Sequence, residues 1–92
     1  MVKISDRLKT AASLIREGAV LADVGTDHGY VPIYLLEQKK IKSAIAMDIN
    51  KGPLERAREH IHLYGMDAYI QTRLSDGVAA LEKGEADSIL VA

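Results

Sequence analysis

The 92-residue chain contains no cysteine, tryptophan or phenylalanine, and only two prolines. Without thiols it can build neither a disulfide framework nor a thiolate metal site, which excludes small secreted scaffolds and zinc ribbons. Four tyrosines stand in for the missing larger aromatics, so the core must be aliphatic and platforms for stacking nucleobases are few. No apolar run approaches the roughly 18 to 20 residues that cross a bilayer, and Met1-Val2-Lys3-Ile4-Ser5-Asp6 lacks the apolar stretch of a secretory signal. The expectation is a soluble, cytoplasmic protein with no membrane partner. Twelve Lys plus Arg against 13 Asp plus Glu give a net charge of -1, so there is no general attraction for nucleic acid. Any RNA surface must be local or lie outside this chain.

What is present suits one globular domain: 48% apolar and 27% charged residues in a length that supports a single modest core. Repeats and linkers are absent, so residues 1–92 read as one unit. Ser5 is placed to cap a first helix, with Asp6 in its first turn and Leu8, Ala11, Ala12 and Ile15 at helical spacing up to Gly18. Residues 19–24 form an apolar run closed by Gly25, the pattern of a buried parallel strand. Residues 30–40 predict a helix in which Val31, Tyr34 and Leu35 share a face and the first turn accommodates Pro32. Residues 43–48 predict a second strand. Asn50 is expected to cap a third helix carrying Leu54, Ala57, Ile61 and Tyr64 and ended by Gly65. Residues 69–74 predict a third strand, 76–83 a short helix, and 87–92 the start of a fourth strand. This alternation implies an α/β fold with a mostly parallel sheet and flanking helices. A strand running into the last residue predicts an unfinished sheet whose free edge would let the chain associate as a homo-oligomer.

In open α/β sheets, ligands bind beyond the carboxyl ends of the strands, where the strand order reverses. Strand one ends in Asp23-Val24-Gly25-Thr26-Asp27-His28-Gly29, strand two in Asp48-Ile49-Asn50, and strand three in Ser75-Asp76-Gly77. Each has an ordinary explanation: Gly25 and Gly29 permit a tight turn, Asp48 and Asn50 cap a helix, and Asp76-Gly77 is a common turn pair. Together they point to a nucleoside-type ligand, because glycines admit close backbone approach and Asp48 can accept both ribose hydroxyls. A polar group after strand three can then meet an adenine edge.

Phosphate decides which adenosine compound fits. The dinucleotide pattern Gly-x-Gly-x-x-Gly, aligned on Gly25, needs glycines where Asp27 and Tyr30 stand. Asp27 would also repel a pyrophosphate on the following helix N-terminus, by about 1 kcal/mol at ~4 Å even in bulk water. S-adenosylmethionine has no phosphate and carries a sulfonium and an ammonium, which make Asp23 and Asp27 attractive partners. No Gly-Lys-Ser/Thr occurs, so there is no Walker loop. His28 either serves the ligand, as a hydrogen-bond donor or in proton transfer, or caps the next helix. His60 and His62 lie two apart on a helix and cannot share a face, so they are expected in solvent, and no metal site is expected. The Lys39, Lys40 and Lys42 cluster reads as a solvated helix end. Two other readings stay open: a nicotinamide-dependent oxidoreductase fragment and a non-catalytic nucleoside-binding module.

Ile4-Ser5-Asp6-Arg7-Leu8, the loop from Asp23 to Pro32, the stretch Ile41-Lys42-Ser43-Ala44-Ile45-Ala46 leading to Asp48, Lys51-Gly52-Pro53 and Arg73-Leu74-Ser75-Asp76-Gly77 together resemble the bacterial tRNA (adenine(22)-N(1))-methyltransferase family. The resemblance covers nearly the whole chain, and its Asp-x-Gly-x-Asp-His core is more specific than a glycine motif. It implies a Rossmann-like class I methyltransferase fold, with this chain the cofactor-binding N-terminal part, truncated after the fourth strand. It implies S-adenosyl-L-methionine as cofactor and methyl transfer to N1 of an adenine in tRNA. By similarity Asp23, Gly25, Thr26, Asp27, His28 and Gly29 surround the methionine part, and Asp48 holds the ribose beside Ile49. Ser75, Asp76 and Gly77 meet the adenine edge, and Asp27 and His28 are the catalytic candidates. Members of the family continue after strand four into a glycine-containing segment of the target-base pocket, further strands and a helical region associated with holding tRNA. The 92 residues alone are therefore expected to lack a complete catalytic pocket.

Overall fold

The computed structural model describes residues 1–91, so the part of the fourth strand expected at Ala92 lies outside the described residues. The elements are α1 (Asp6–Ser13), β1 (Ala19–Val24), α2 (Tyr30–Glu37), β2 (Ile41–Asp48), α3 (Lys51–Leu63), β3 (Ile70–Leu74) and β4 (Ser88–Val91). All four strands are parallel, in the order β3-β2-β1-β4. β1 therefore lies inside the sheet with a neighbour on each side, which is why its sequence is apolar apart from Asp23.

Helix α1 starts as its sequence predicts, with Ser5 Oγ accepting from the Leu8 amide at 3.2 Å. It ends earlier, at Ser13. Thr10 and Ser13 donate their hydroxyls back to the carbonyls of Asp6 and Thr10, and Lys40 Nζ takes up the carbonyls of Ala12 and Ser13 at 3.2 and 2.9 Å. Lys40 is thus a cap on a different helix rather than part of a solvated helix end. Helix α2 stops at Glu37, short of the predicted residue 40, because Lys39 takes a left-handed conformation and the Lys40 amide closes back on the Leu35 carbonyl. Helix α3 begins after Asn50, whose side chain makes no capping bond.

The helix expected over 76–83 does not form. Ser75 Oγ instead donates to the Gly77 carbonyl at 2.8 Å and accepts from the Ala80 amide at 3.0 Å. Arg73 takes the Ala80 carbonyl at 2.9 Å. Side chains so claim the backbone groups that a helix would pair with one another. Gly77 and Gly84, both at positive φ, bracket the resulting run of turns.

All three helices cover one face of the sheet. There Ala12, Ile33, Leu35, Ala57 and Ile61 pack on Leu21, Ala44, Ala46 and Ile70. On the other face Ala22, Ile45 and Met47 are covered by Leu81 and Ala86 from the turn segment. A paired Arg73 and Glu85, with two contacts of 2.6 Å, tie that segment to β3. The guanidinium holds the Glu85 carboxyl down to about 2, assisted by the Glu82 amide. Among the described residues no helix is long and apolar enough to cross a membrane.

Candidate functional site

The chain builds β1, β2 and β3 outward in one direction and then returns to place β4 on the far side of β1. The order reverses between β1 and β4, and a crevice opens at their carboxyl ends, as such reversals produce. A cleft of about 160 Å³ lies there, lined by Asp23, residues 25–28, Arg7 and Leu8 of α1, Tyr30 and Val31 of α2, and Leu90 of β4. A wider hollow of about 520 Å³ lies elsewhere, around Val20, Ser43, Tyr69 and Glu85, and contains none of the cofactor-binding or catalytic residues expected from the sequence.

The loop after β1 is hooked onto β2, because the amides of Gly25 and Thr26 both donate to the Met47 carbonyl at 2.9 and 2.8 Å. Asp27 follows with φ at 56°, a left-handed conformation that Asp tolerates better than most residues. Its amide points to Asp48 Oδ2 at 3.4 Å, while the Asn50 amide donates to Asp48 Oδ1 at 3.0 Å. Two backbone amides thus orient the Asp48 carboxylate and leave it lone pairs for a ligand's hydroxyls. Asp48 thus closes the turn that leads into α3, while no side chain caps the helix itself.

Asp23 is 2% exposed yet lines the cleft. Burial pushes its carboxyl up to about 6. The Thr26 hydroxyl, donating to Oδ2 at 2.8 Å, works against that shift, and the nearby Asp48 charge adds to it. A buried carboxylate with a single side-chain hydrogen bond is an electrostatic deficit, and a cationic ligand group in the cleft relieves it.

Asp27 has an exposed side chain with His28 Nε2 at 3.6 Å and Arg56 Nη2 at 3.8 Å. The His28 ring stacks on Tyr30 with centroids 5.1 Å apart, and its Nδ1 is buried without a partner. His60, expected in solvent, is half-buried: it packs against both rings and binds the His28 carbonyl through Nδ1 at 2.9 Å. The i, i+4 spacing of Arg56 and His60 carries this contact, a signal that counting His60 against His62 overlooked.

Gly29 does not line the cleft. It is the N-cap of α2 at φ 74°, and a Cβ there would sit 3.3 Å from Ala57 Cβ, so its absence lets α2 approach α3. Ser75 joins the site through its amide, which donates to the Asp48 carbonyl at 2.9 Å, although its hydroxyl is used inside the turn. Ile49, Asp76 and Gly77 are exposed beside these anchors. Asp23, Gly25, Thr26, Asp27 and His28 therefore share one cleft, Asp48 backs it, and Ile49 and residues 75–77 flank Asp48. Arg7, Leu8 and Leu90 were not foreseen, because only strand order and the packing of α1 bring them there. Arg7 did carry a signal: a positive side chain in the first turn of a helix opposes the helix dipole.

A sequence model of the family described as a methyltransferase domain matches residues 4–92. A Bacillus subtilis (strain 168) protein, tRNA (adenine(22)-N(1))-methyltransferase, is 42% identical over 91 residues, covering 99% of this chain and 38% of its own length. A Streptococcus pneumoniae protein solved in complex with S-adenosyl-L-methionine superposes with a TM-score of 0.93 at 43% identity, over 98% of this chain and 42% of the other. M. capricolum TrmK, solved with S-adenosyl-homocysteine, gives a TM-score of 0.89 at 38% identity, over 96% and 40%. The fold is Rossmann-like, of the methyltransferase kind. The chain spans about two fifths of the length of the relatives it matches.

Proposed function

The chain belongs to the methyltransferase domain family, and from that premise we propose that residues 1–92 are the cofactor-binding part of a tRNA (adenine(22)-N(1))-methyltransferase. The observation that carries the reading is the buried Asp23 carboxylate facing a cleft at the reversal of strand order. Asp27 stands beside it where nucleotide loops need glycine. Acidic groups in those positions suit a cationic adenosine compound and oppose a pyrophosphate.

The donor set fits S-adenosylmethionine. Asp23 would face the cationic end of the donor, and Gly25, Thr26, His28 and Gly29 would shape the turn around it. Asp48, already oriented by the Asp27 and Asn50 amides, would hold the ribose. Ile49 would pack on the adenine and Ser75, Asp76 and Gly77 would meet its edge. When bound, the donor supplies a methyl group on an electrophilic sulfonium to N1 of the target adenine. This chain's residues contribute positioning, which in a near-attack geometry is worth about 7 to 11 kcal/mol. Asp27 and His28 are the candidates to accept a hydrogen bond or proton from the exocyclic amine as methylation raises its acidity.

The tRNA partner and a cytoplasmic place of work belong to the same proposal. Self-association through β4 does too, supported by Ile89 and Val91 being 51% and 69% exposed on that strand. Calorimetric titration tests the core of it. S-adenosylhomocysteine is expected to bind saturably to the chain and to lose most of its affinity in Asp48→Ala. Saturable binding of NAD with none of S-adenosylhomocysteine would overturn the assignment.

A further inference from the structure

The two nitrogens of the His28 ring have opposite surroundings. Nδ1 is buried and has no hydrogen-bond partner among the described residues. His60, the neighbouring ring, uses its own Nδ1 proton on the His28 carbonyl at 2.9 Å, because a carbonyl can only accept. Nε2 of His28 faces the other way and lies 3.6 Å from Asp27 Oδ2. A neutral imidazole carries one proton, and these surroundings decide which nitrogen has it. On Nδ1 the proton would be a buried donor without an acceptor, and the Nε2 lone pair would be left against a carboxylate. On Nε2 the proton itself meets the carboxylate.

Asp27 is exposed where Asp23 is buried, although both line the cleft, so Asp27 stands at its mouth and Asp23 in its wall. Each Asp27 oxygen faces one nitrogen, Oδ2 that of His28 and Oδ1 the Arg56 Nη2 at 3.8 Å. Both distances exceed hydrogen-bond length, so these groups turn the carboxylate without using up its lone pairs. We infer that His28 is a positioning residue, carrying its proton on Nε2 and orienting the Asp27 carboxylate, and that Asp27 alone accepts a hydrogen bond from the exocyclic amine of the target adenine. The role of Asp27 rests on the proposed donor, whereas the tautomer of His28 does not. Methyl transfer breaks the bond from sulfur to the methyl carbon, leaves its electron pair on sulfur and makes the new bond with the N1 lone pair. One positive charge passes to the adenine and spreads onto the exocyclic nitrogen, which keeps both its protons. A carboxylate accepting from that amine stabilises the charge as it develops. An imidazole N–H aimed at the same amine would set donor against donor.

Nitrogen-15 spectra of the histidine rings, taken on the ligand-free chain at about pH 8, above the ordinary histidine range, test the tautomer. His28 is expected to show a protonated Nε2 and a bare Nδ1, and His60 the reverse. A proton on Nδ1 of His28, or one shared evenly between its nitrogens, would overturn the inference. Positioning is read on Asp27 itself, from the three-bond couplings that report its χ1 angle. One rotamer is expected in the unaltered chain, a mixture in His28→Ala and His28→Asn, and a return to one rotamer in His28→Gln, whose amide N–H reaches the place of Nε2. All three variants lose the stack on Tyr30, so a purely structural role would shift them together, and that result overturns the inference, as does an Asp27 rotamer unchanged in His28→Ala. Calorimetry with S-adenosylhomocysteine separates the two readings. If it fails to bind while the tautomer is as assigned, the donor reading falls, and the role of Asp27 toward the amine falls with it.

Discussion

His60 Nδ1 lies 2.9 Å from the carbonyl oxygen of His28, so a side chain from the middle of α3 holds the backbone of the loop that follows β1. Tyr30 packs against both rings, at 5.1 Å from His28 and 4.9 Å from His60. Arg56 and Ala57, on the same helix, meet Asp27 and Gly29. The cleft's loop is therefore shaped from behind by α3, while its front faces α1.

Replacing His60 with Ala removes one hydrogen bond and one wall of the ring cluster. The expected loss is about 0.5–1.5 kcal/mol of stability, readable from urea midpoints. S-adenosylhomocysteine affinity should fall in parallel, because the His28 carbonyl is no longer restrained. An affinity unchanged at equal stability loss would show that the loop keeps its shape without α3.

Asp23 titrates near 6 in the fold against 3.8 unprotected. Between those values the native state holds more protons than the unfolded chain, so this carboxyl's contribution is intact below about pH 4 and is lost as pH rises through 6. The loss amounts to about 3 kcal/mol at one pKa unit per ~1.4 kcal/mol. Asp23→Asn, which keeps an acceptor for Thr26, should stabilise the ligand-free chain at pH 7 and flatten this slope. It should also weaken S-adenosylhomocysteine binding. Urea unfolding from pH 4 to 7 and a calorimetric titration measure the two effects, which are expected to have opposite signs.

Gly29→Ala meets both a left-handed φ and the Ala57 side chain at 3.3 Å. The conformational part alone costs about 1–2 kcal/mol, and the contact adds to it. Combining it with Ala57→Gly should recover the contact and leave the conformational part, a split that a double-mutant cycle resolves.

Glu85 is held down to about 2 by Arg73. Its contribution is present above pH 4.5 and lost as acid approaches the folded value, the reverse of the Asp23 trend. Glu85→Gln is expected to flatten that acid limb. It should also speed amide exchange in residues 75–86, where the turn segment covers Ile45 and Met47. Unchanged exchange there would show that Leu81 and Ala86 suffice to hold the segment.

Local signals were legible where one interaction dominates. The apolar run of β1 and the Ser5 cap both report their structure directly, and β1 spans the predicted residues. The helix expected over 76–83 failed because its competitors, Ser75 and Arg73, act through hydrogen bonds that helical periodicity does not register. Asn50 has the right chemistry for a cap, but its side chain makes no capping bond, and its amide is instead taken by Asp48 at the end of β2.

The order of residues alone determined that strands and helices alternate and that carboxylates follow three successive strands, because strand and turn preferences act over a few neighbouring positions. Only the folded chain decided that β4 returns beside β1. That step brings Leu90, Arg7 and Asp23 around one cleft, and α3 turns His60 inward to brace it. Contacts between residues dozens of positions apart depend on which strand pairs with which, and no local preference encodes that choice.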